Sequence, residues 1–238
     1  MFYIKYGGDV TEIKDIRTIA VLGGTGKEGK GLAYSWAKAG YRVIVGSRKA
    51  EKAQLAVDEL RTLFASNEKV DIVGLTNDEA TQQCDLAVLT VPYAGHSATL
   101  ESLKPYLKGK ILIDVTVPLV PPKVSRVQMP PAGSATMEAQ KLLGEDVQVV
   151  AAFQNISYEN LLSDEGEADC DVLVCGGDKE ARAVVLELVK ATGMIGWDAG
   201  PAENAVVVEG MTSILIGINK KYGVHSSGIR ITGVPRPD

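Results

Sequence analysis

The stretch AVLGGTGKEGKGLA, residues 20–33, sets five glycines between an apolar run and a second run of small apolar residues. Each glycine loses more backbone freedom on folding than any other residue. So many together require turns at positive φ or close approach of a ligand to bare backbone. Gly24, Gly26 and Gly29 fit G-x-G-x-x-G directly after the strand-like TIAVL and directly before apolar residues at helical spacing. In that context the pattern reads as a dinucleotide-binding fingerprint. Gly24 makes the tight turn, Gly26 lets a pyrophosphate reach the backbone, and Gly29 lets the helix press on the sheet. The helix N-terminus offers free N–H groups and a positive dipole end to the phosphates. A plain βα loop of about 2 to 6 residues rarely needs this glycine pattern.

The rest of the chain supplies the architecture around that loop. Short Val- and Ile-rich runs at 18–22, 42–45, 70–74, 86–90, 111–114 and 147–151 alternate with helix patterns at 29–38, 50–65, 77–82, 98–103 and 135–143. This alternation predicts an α/β fold, a Rossmann-type doubly wound parallel sheet with helices on both faces. Residues 117–133 carry five prolines and read as a surface loop. Beyond residue 154 a polar piece, SYENLLSDEGEADC, leads to strand patterns at 172–175 and 195–198 and helix patterns at 179–190 and 203–221. The reading is an N-terminal arm over 1–17, an NADP-binding Rossmann domain over 18–153, and a small, largely helical C-terminal part over 154–238 for substrate and dimerisation.

Composition narrows the class. With 238 residues, 45% hydrophobic and 23% charged, the chain has the balance of an ordered globular protein. A formal net charge of -5 argues against a nucleic-acid footprint. Cys84, Cys170 and Cys175 show no CxxC spacing, so neither a disulfide framework nor a metal site is expected, and a reducing cytoplasm fits. The opening MFYIKYGGDVTEIKDIR lacks the apolar centre of a signal peptide, and no apolar run is long enough to span a bilayer, so no membrane partner is expected.

The tip of the second strand decides between the two nicotinamide dinucleotides. An NAD site places a carboxylate there against the ribose 2′-hydroxyl. Here YRVIV runs into Gly46, Ser47, Arg48 and Lys49. Arg48 offers planar bidentate hydrogen bonds to a 2′-phosphate and Ser47 another donor, so NADP is preferred. Lys52, one helical turn on, and Thr25 join them. Thr90, Val91 and Pro92 follow the fourth strand at its carboxyl end, where doubly wound sheets bind ligands. Tyr93, His96 and Tyr158 are the only plausible proton donors. His96 reads as structural because no carboxylate is patterned to orient it.

With GGTGKEGKGLA, VGSRKAEKA, CDLAVLTVPYAGH and DVTVPLVPP in order, followed by VVAAFQNISYENL, DVLVCGGDKEA and WDAGPAENA, the chain resembles the coenzyme F420-dependent NADP reductases, or 8-hydroxy-5-deazaflavin:NADPH oxidoreductases. The resemblance implies hydride transfer between nicotinamide C4 and deazaflavin C5, cofactors NADP(H) and coenzyme F420, and a homodimer. Carried over position by position, it implies a 2′-phosphate site of Thr25, Ser47, Arg48 and Lys52 and a ring-stacking site lined by Gly26, Pro92 and Ile156; with the residues read above, the expected cofactor contacts are Gly24, Thr25, Gly26, Lys27, Glu28, Gly29, Ser47, Arg48, Lys52, Thr90, Val91 and Pro92, and the expected substrate contacts are Pro92, Gln154 and Ile156. It implies no catalytic acid or base and no metal, because orientation of bound cofactors suffices. Gln154 departs from the resemblance, standing where a histidine is expected in archaeal members, so one contact to the deazaflavin is expected to differ. Lys220, Lys221 and Arg230 are candidates for the anionic tail of the deazaflavin coenzyme. Two other readings share the nucleotide site: an NADPH-dependent reductase of an imine, carbonyl, flavin or ferric iron, and a non-catalytic NADP sensor.

Overall fold

A computed structural model describes residues 2–6, 9–13, 15–65, 69–162 and 170–236. In chain order the elements are β1 (Phe2–Tyr6), β2 (Asp9–Ile13), β3 (Thr18–Leu22), α1 (Lys27–Lys38), β4 (Arg42–Ser47), α2 (Ala50–Arg61), β5 (Ile72–Thr76), α3 (Asn77–Gln83), β6 (Leu86–Leu89), α4 (His96–Leu107), β7 (Ile111–Asp114), α5 (Ala135–Leu143), β8 (Gln148–Ala151), α6 (Tyr158–Leu162), β9 (Asp171–Gly176), α7 (Lys179–Ala191), β10 (Ile195–Gly200) and α8 (Ala205–Tyr222). Eight strands form one sheet in the order β10-β9-β8-β7-β6-β3-β4-β5. From β8 to β5 every pairing is parallel, the doubly wound order, with its switch point between β3 and β6.

The strands read as unbroken apolar runs because both faces are covered. Ile19 and Val21 of β3 face a core shared with Leu32, Trp36, Leu60 and Val185. Ala20 and Leu22 face the opposite core, with Leu100, Leu103, Ala139 and Leu143. Trp36 fixes the first core in place. Its indole N–H donates to the Leu188 carbonyl at 2.9 Å, and its ring meets Phe153 edge-on at 5.7 Å. Helix starts follow local capping chemistry: a reciprocal Thr76/Glu79 box for α3, Ser134 for α5 and Asp178 for α7.

The structure departs from the sequence expectation in three places. β9 runs antiparallel to β8, and β10 runs parallel to β9, so the last two strands oppose the other six. The reason lies in α6, which does not cross the sheet as a βαβ helix would but packs on α1. A Cβ on Gly31 would stand 2.9 Å from Leu161, and Ser35 Oγ donates to the Leu161 carbonyl at 2.8 Å. The chain therefore re-enters the sheet from the carboxyl edge of the parallel strands. Residues read as an arm contain the β1–β2 hairpin, outside the main sheet. The third difference is α6 itself, five residues in a segment with no helical periodicity. Among the described residues no helix is long and apolar enough to cross a membrane.

Candidate active site

Parallel β3, β4, β6, β7 and β8 deliver their carboxyl ends to one edge of the sheet, and the glycine loop leaves β3 there. The glycines divide into two kinds. Gly23, at φ 69°, lies where a Cβ would stand 2.5 Å from Val91 Cγ1. Gly24 donates its N–H to the Gly46 carbonyl at 3.0 Å, and a Cβ there would meet the Val21 carbonyl at 2.6 Å. A Cβ on Gly29 would meet Gly24 Cα at 2.6 Å and Thr90 Oγ1 at 2.7 Å. These three exist for close packing of loop, helix and strand. A Cβ on Gly26 would meet nothing within 4 Å. Gly26 is the extended N-cap residue of α1 and offers no side-chain cap. The N–H groups of Lys27, Glu28 and Gly29 thus open the helix without intrahelical acceptors, onto space that suits a phosphate.

Two side chains of that first turn are less simple than a phosphate cradle. Lys27 Nζ donates to Tyr158 Oη at 3.2 Å and lies 4.7 Å above the Tyr158 ring, joining α1 to α6. Glu28 Oε1 is closed to solvent and has no hydrogen-bond partner, and burial pushes the carboxyl up to about 8. Thr25 is half-buried in the loop.

At the β4 tip Ser47 is buried, while Arg48, Lys49 and Lys52 are exposed around the start of α2, where Lys49 is the N-cap residue. Among the described residues these three cations make no ion pair. Cations beside a helix N-terminus oppose its dipole, and an anion between them reverses that cost.

The third component gathers around Asp114, the wholly buried last residue of β7. Thr90 N–H and Oγ1 both donate to the Leu22 carbonyl at 3.0 Å, closing the β3–β6 switch point. Pro92 is exposed beyond it. Gln154 Nε2 donates to the Asp114 carbonyl at 2.6 Å. That partner only accepts, so the amide orientation is fixed and Oε1 is left buried and unpartnered. Asn155 Oδ1 beside it is also buried without a partner. Phe153, at φ 71°, makes the turn that carries Gln154 and the buried Ile156 back over the edge, a left-handed conformation that is strained for a bulky residue.

His96 requires a correction. It was expected to lack a carboxylate, yet its Nε2 lies 2.7 Å from Asp114 Oδ2, with both residues buried. The signal was an acid closing the apolar strand ILID at its carboxyl end, well separated from the histidine in sequence. Tyr93 is committed elsewhere: its hydroxyl donates to Glu138 at 2.9 Å, and burial with that acceptor pushes it up to about 12. Arg230 lies on a segment pinned at the start of β9, where Asp171 N–H donates to the Ile229 carbonyl and Ile231 N–H to Asp171 Oδ2, each at 2.8 Å. Asn155 Nδ2 donates to the Asp171 carbonyl at 2.9 Å, so this segment borders the same edge. Lys220 and Lys221 are exposed at the end of α8. Among the described residues no cluster of His, Cys, Asp or Glu is placed to hold a metal.

Comparison with known proteins bears on the family and the fold. Residues 18–118 match the family model described as NADP oxidoreductase coenzyme F420-dependent. The F420-dependent NADP reductase of Methanocaldococcus jannaschii is 40% identical over 221 residues, 91% of this chain and 98% of that protein. The protein of the same name from Methanothermobacter marburgensis is 41% identical over 91% of this chain and 99% of its own length. A crystal structure described as a putative F420-dependent NADP reductase from an Arthrobacter strain superposes with a TM-score of 0.74 at 23% identity, covering 92% of this chain and all of that one, and supports the fold.

Proposed function

This chain belongs to the family of coenzyme F420-dependent NADP oxidoreductases, and on that premise we propose that it is an oxidoreductase moving a hydride between NADP(H) and the deazaflavin coenzyme F420. When bound, the two cofactors supply the chemistry, direct exchange between nicotinamide C4 and deazaflavin C5. The protein supplies orientation and exclusion of water. The observation that carries the NADP(H) half is the open space over Gly26, on a loop bonded to the β4 tip through Gly24 and Gly46, where Arg48 and Lys52 make no ion pair among the described residues. Backbone N–H groups at 25–29, with the Thr25 hydroxyl, would hold the pyrophosphate, and the β4 tip would hold the 2′-phosphate. Thr90, Val91 and Pro92 support the nicotinamide. Pro92, Gln154 and Ile156 border the acceptor ring, with Gln154 presenting its free Oε1 to a ligand donor.

In this reading residues 18–153 are the NADP(H) domain, 154–238 carry the acceptor side and the subunit contact, and 1–17 form an arm. Homodimerisation is supported by α8, whose Val207, Ile214, Ile218 and Tyr222 lie exposed at helical spacing, at 63%, 57%, 38% and 68%. A cytoplasmic location fits its three free cysteines. The test mixes purified protein with NADPH and oxidised coenzyme F420 and follows the deazaflavin absorbance. Enzyme-dependent bleaching is expected. Tight NADPH binding with no bleaching would reject coenzyme F420 as the acceptor.

A further inference from the structure

Asp114 connects more of the site than any other residue described above. Its Oδ2 meets His96 Nε2 at 2.7 Å, and its Oδ1 accepts the Thr116 N–H at 3.0 Å. Its carbonyl accepts from Gln154. Thr116 in turn points its hydroxyl to the Val91 carbonyl at 3.5 Å. One buried residue therefore ties the loop over 90–95, through His96 and Thr116, to the turn that carries Gln154 and Ile156. Those are the two segments between which the rings are to stack.

A buried carboxylate needs a countercharge. Asp114 is 0% exposed and His96 1%. The charged groups acting on His96 are Asp114 from β7, Glu138 from α5 and Glu209 from α8, with the neutral Tyr93 stacked 6.1 Å away from the preceding turn. Glu209 is itself fully buried, capping α5 by accepting from Ala135 N–H at 2.7 Å, Thr136 N–H at 3.0 Å and the Thr136 hydroxyl at 2.7 Å. His96 is thus surrounded by acids. Its Nδ1 is buried with no hydrogen-bond partner among the described residues.

We infer that His96 is a positioning residue, held as an imidazolium by Asp114, and that this ion pair fixes the two ring-bearing segments at the separation hydride transfer requires. Burial alone would lower the imidazole pKa, but the hydrogen bond and charge of Asp114, aided by Glu138 and Glu209, raise it overall. The ion pair is therefore complete on the acid side and lost as pH rises through the imidazole pKa.

The inference rests on the proposed hydride transfer, so one arm of the test does not. The chain has two histidines, and the second, His225, is exposed. NMR titration of the ring signals, assigned with His225→Gln, reads the pair directly in the protein without cofactors. His96 is expected to titrate above the ordinary imidazole value of about 6.5, and Asp114→Asn to bring it down. A His96 ring titrating at or below that value would overturn the inference whatever the activity.

The second arm is single-turnover reduction of coenzyme F420 at saturating NADPH. His96→Gln is expected to slow it about tenfold or more, since small misplacements act steeply on transfer. NADPH affinity should stay within twofold, and the alkaline decline assigned to His96 should be absent. Wild-type transfer and wild-type pH dependence in His96→Gln would also overturn the inference. If the wild-type protein reduces no coenzyme F420, the functional reading fails and the titration still decides the pair.

Discussion

At the scale of single residues, the site separates charges that recognise from charges that are stored. Arg48 makes no ion pair among the described residues, and the proposed function gives it the 2′-phosphate. Arg48→Ala should raise KM for NADPH roughly ten- to a hundredfold, for a lost charge-assisted hydrogen bond of about 1.5 to 3 kcal/mol, while KM for NADH barely moves. Equal losses with both cofactors would remove Arg48 from that role. Glu28 is of the other kind. Its folded pKa of about 8 lies above the free value of 4.5, so the folded state holds that proton more tightly than the unfolded state. The resulting stabilisation is present below the free value and is lost as pH rises towards 8. Thermal unfolding of the cofactor-free Glu28→Gln protein should therefore decline less between about pH 5 and 8 than that of wild type. An unchanged slope would show that Glu28 ionises freely. An NADP preference can be read from Ser47-Arg48 because the two residues that suggest it are adjacent in sequence. The His96–Asp114 contact was not, because β7 and α4 bring the pair together only through the sheet.

At the scale of elements, the glycine loop and α1 show how one motif serves two separable ends. Gly26→Ala adds a methyl to open space at a φ of -78°, and should change stability by less than about 1 kcal/mol while weakening NADPH binding at least tenfold. Gly29→Ala drives a methyl into the Gly24 backbone and should lower both the melting temperature and NADPH affinity. If Gly26→Ala bound NADPH normally, the phosphate would lie elsewhere. The six parallel strands were readable because helices on both sides demand unbroken apolar runs. The reversal at β9 was not readable, since an apolar run carries no direction, and α6 is too short for a helical period to show. Phe153 gave no sign of its left-handed turn, which tertiary packing against Trp36 sustains.

At the scale of the whole molecule, α8 has two incompatible faces, one buried on Ala151 and Cys175 through Ala205 and Val208, the other an exposed apolar stripe. Ile214→Glu places a charge in the middle of that stripe. It should convert a dimer to a folded monomer by light scattering, and a dimer that survives the change would move the contact elsewhere. The proposed division at residue 153 meets a different constraint, because the two tryptophans fall on either side of it. Trp36, on α1, is sealed against Phe153 and α7, whereas Trp197 is half-buried on β10, its indole N–H donating to Asp171 at 2.8 Å. The two indoles therefore emit in unlike surroundings, one dry and one wetter: in Trp197→Phe the remaining Trp36 would report by colour the parting of α1 from Phe153 and α7, and in Trp36→Phe the remaining Trp197 would report the opening of β10.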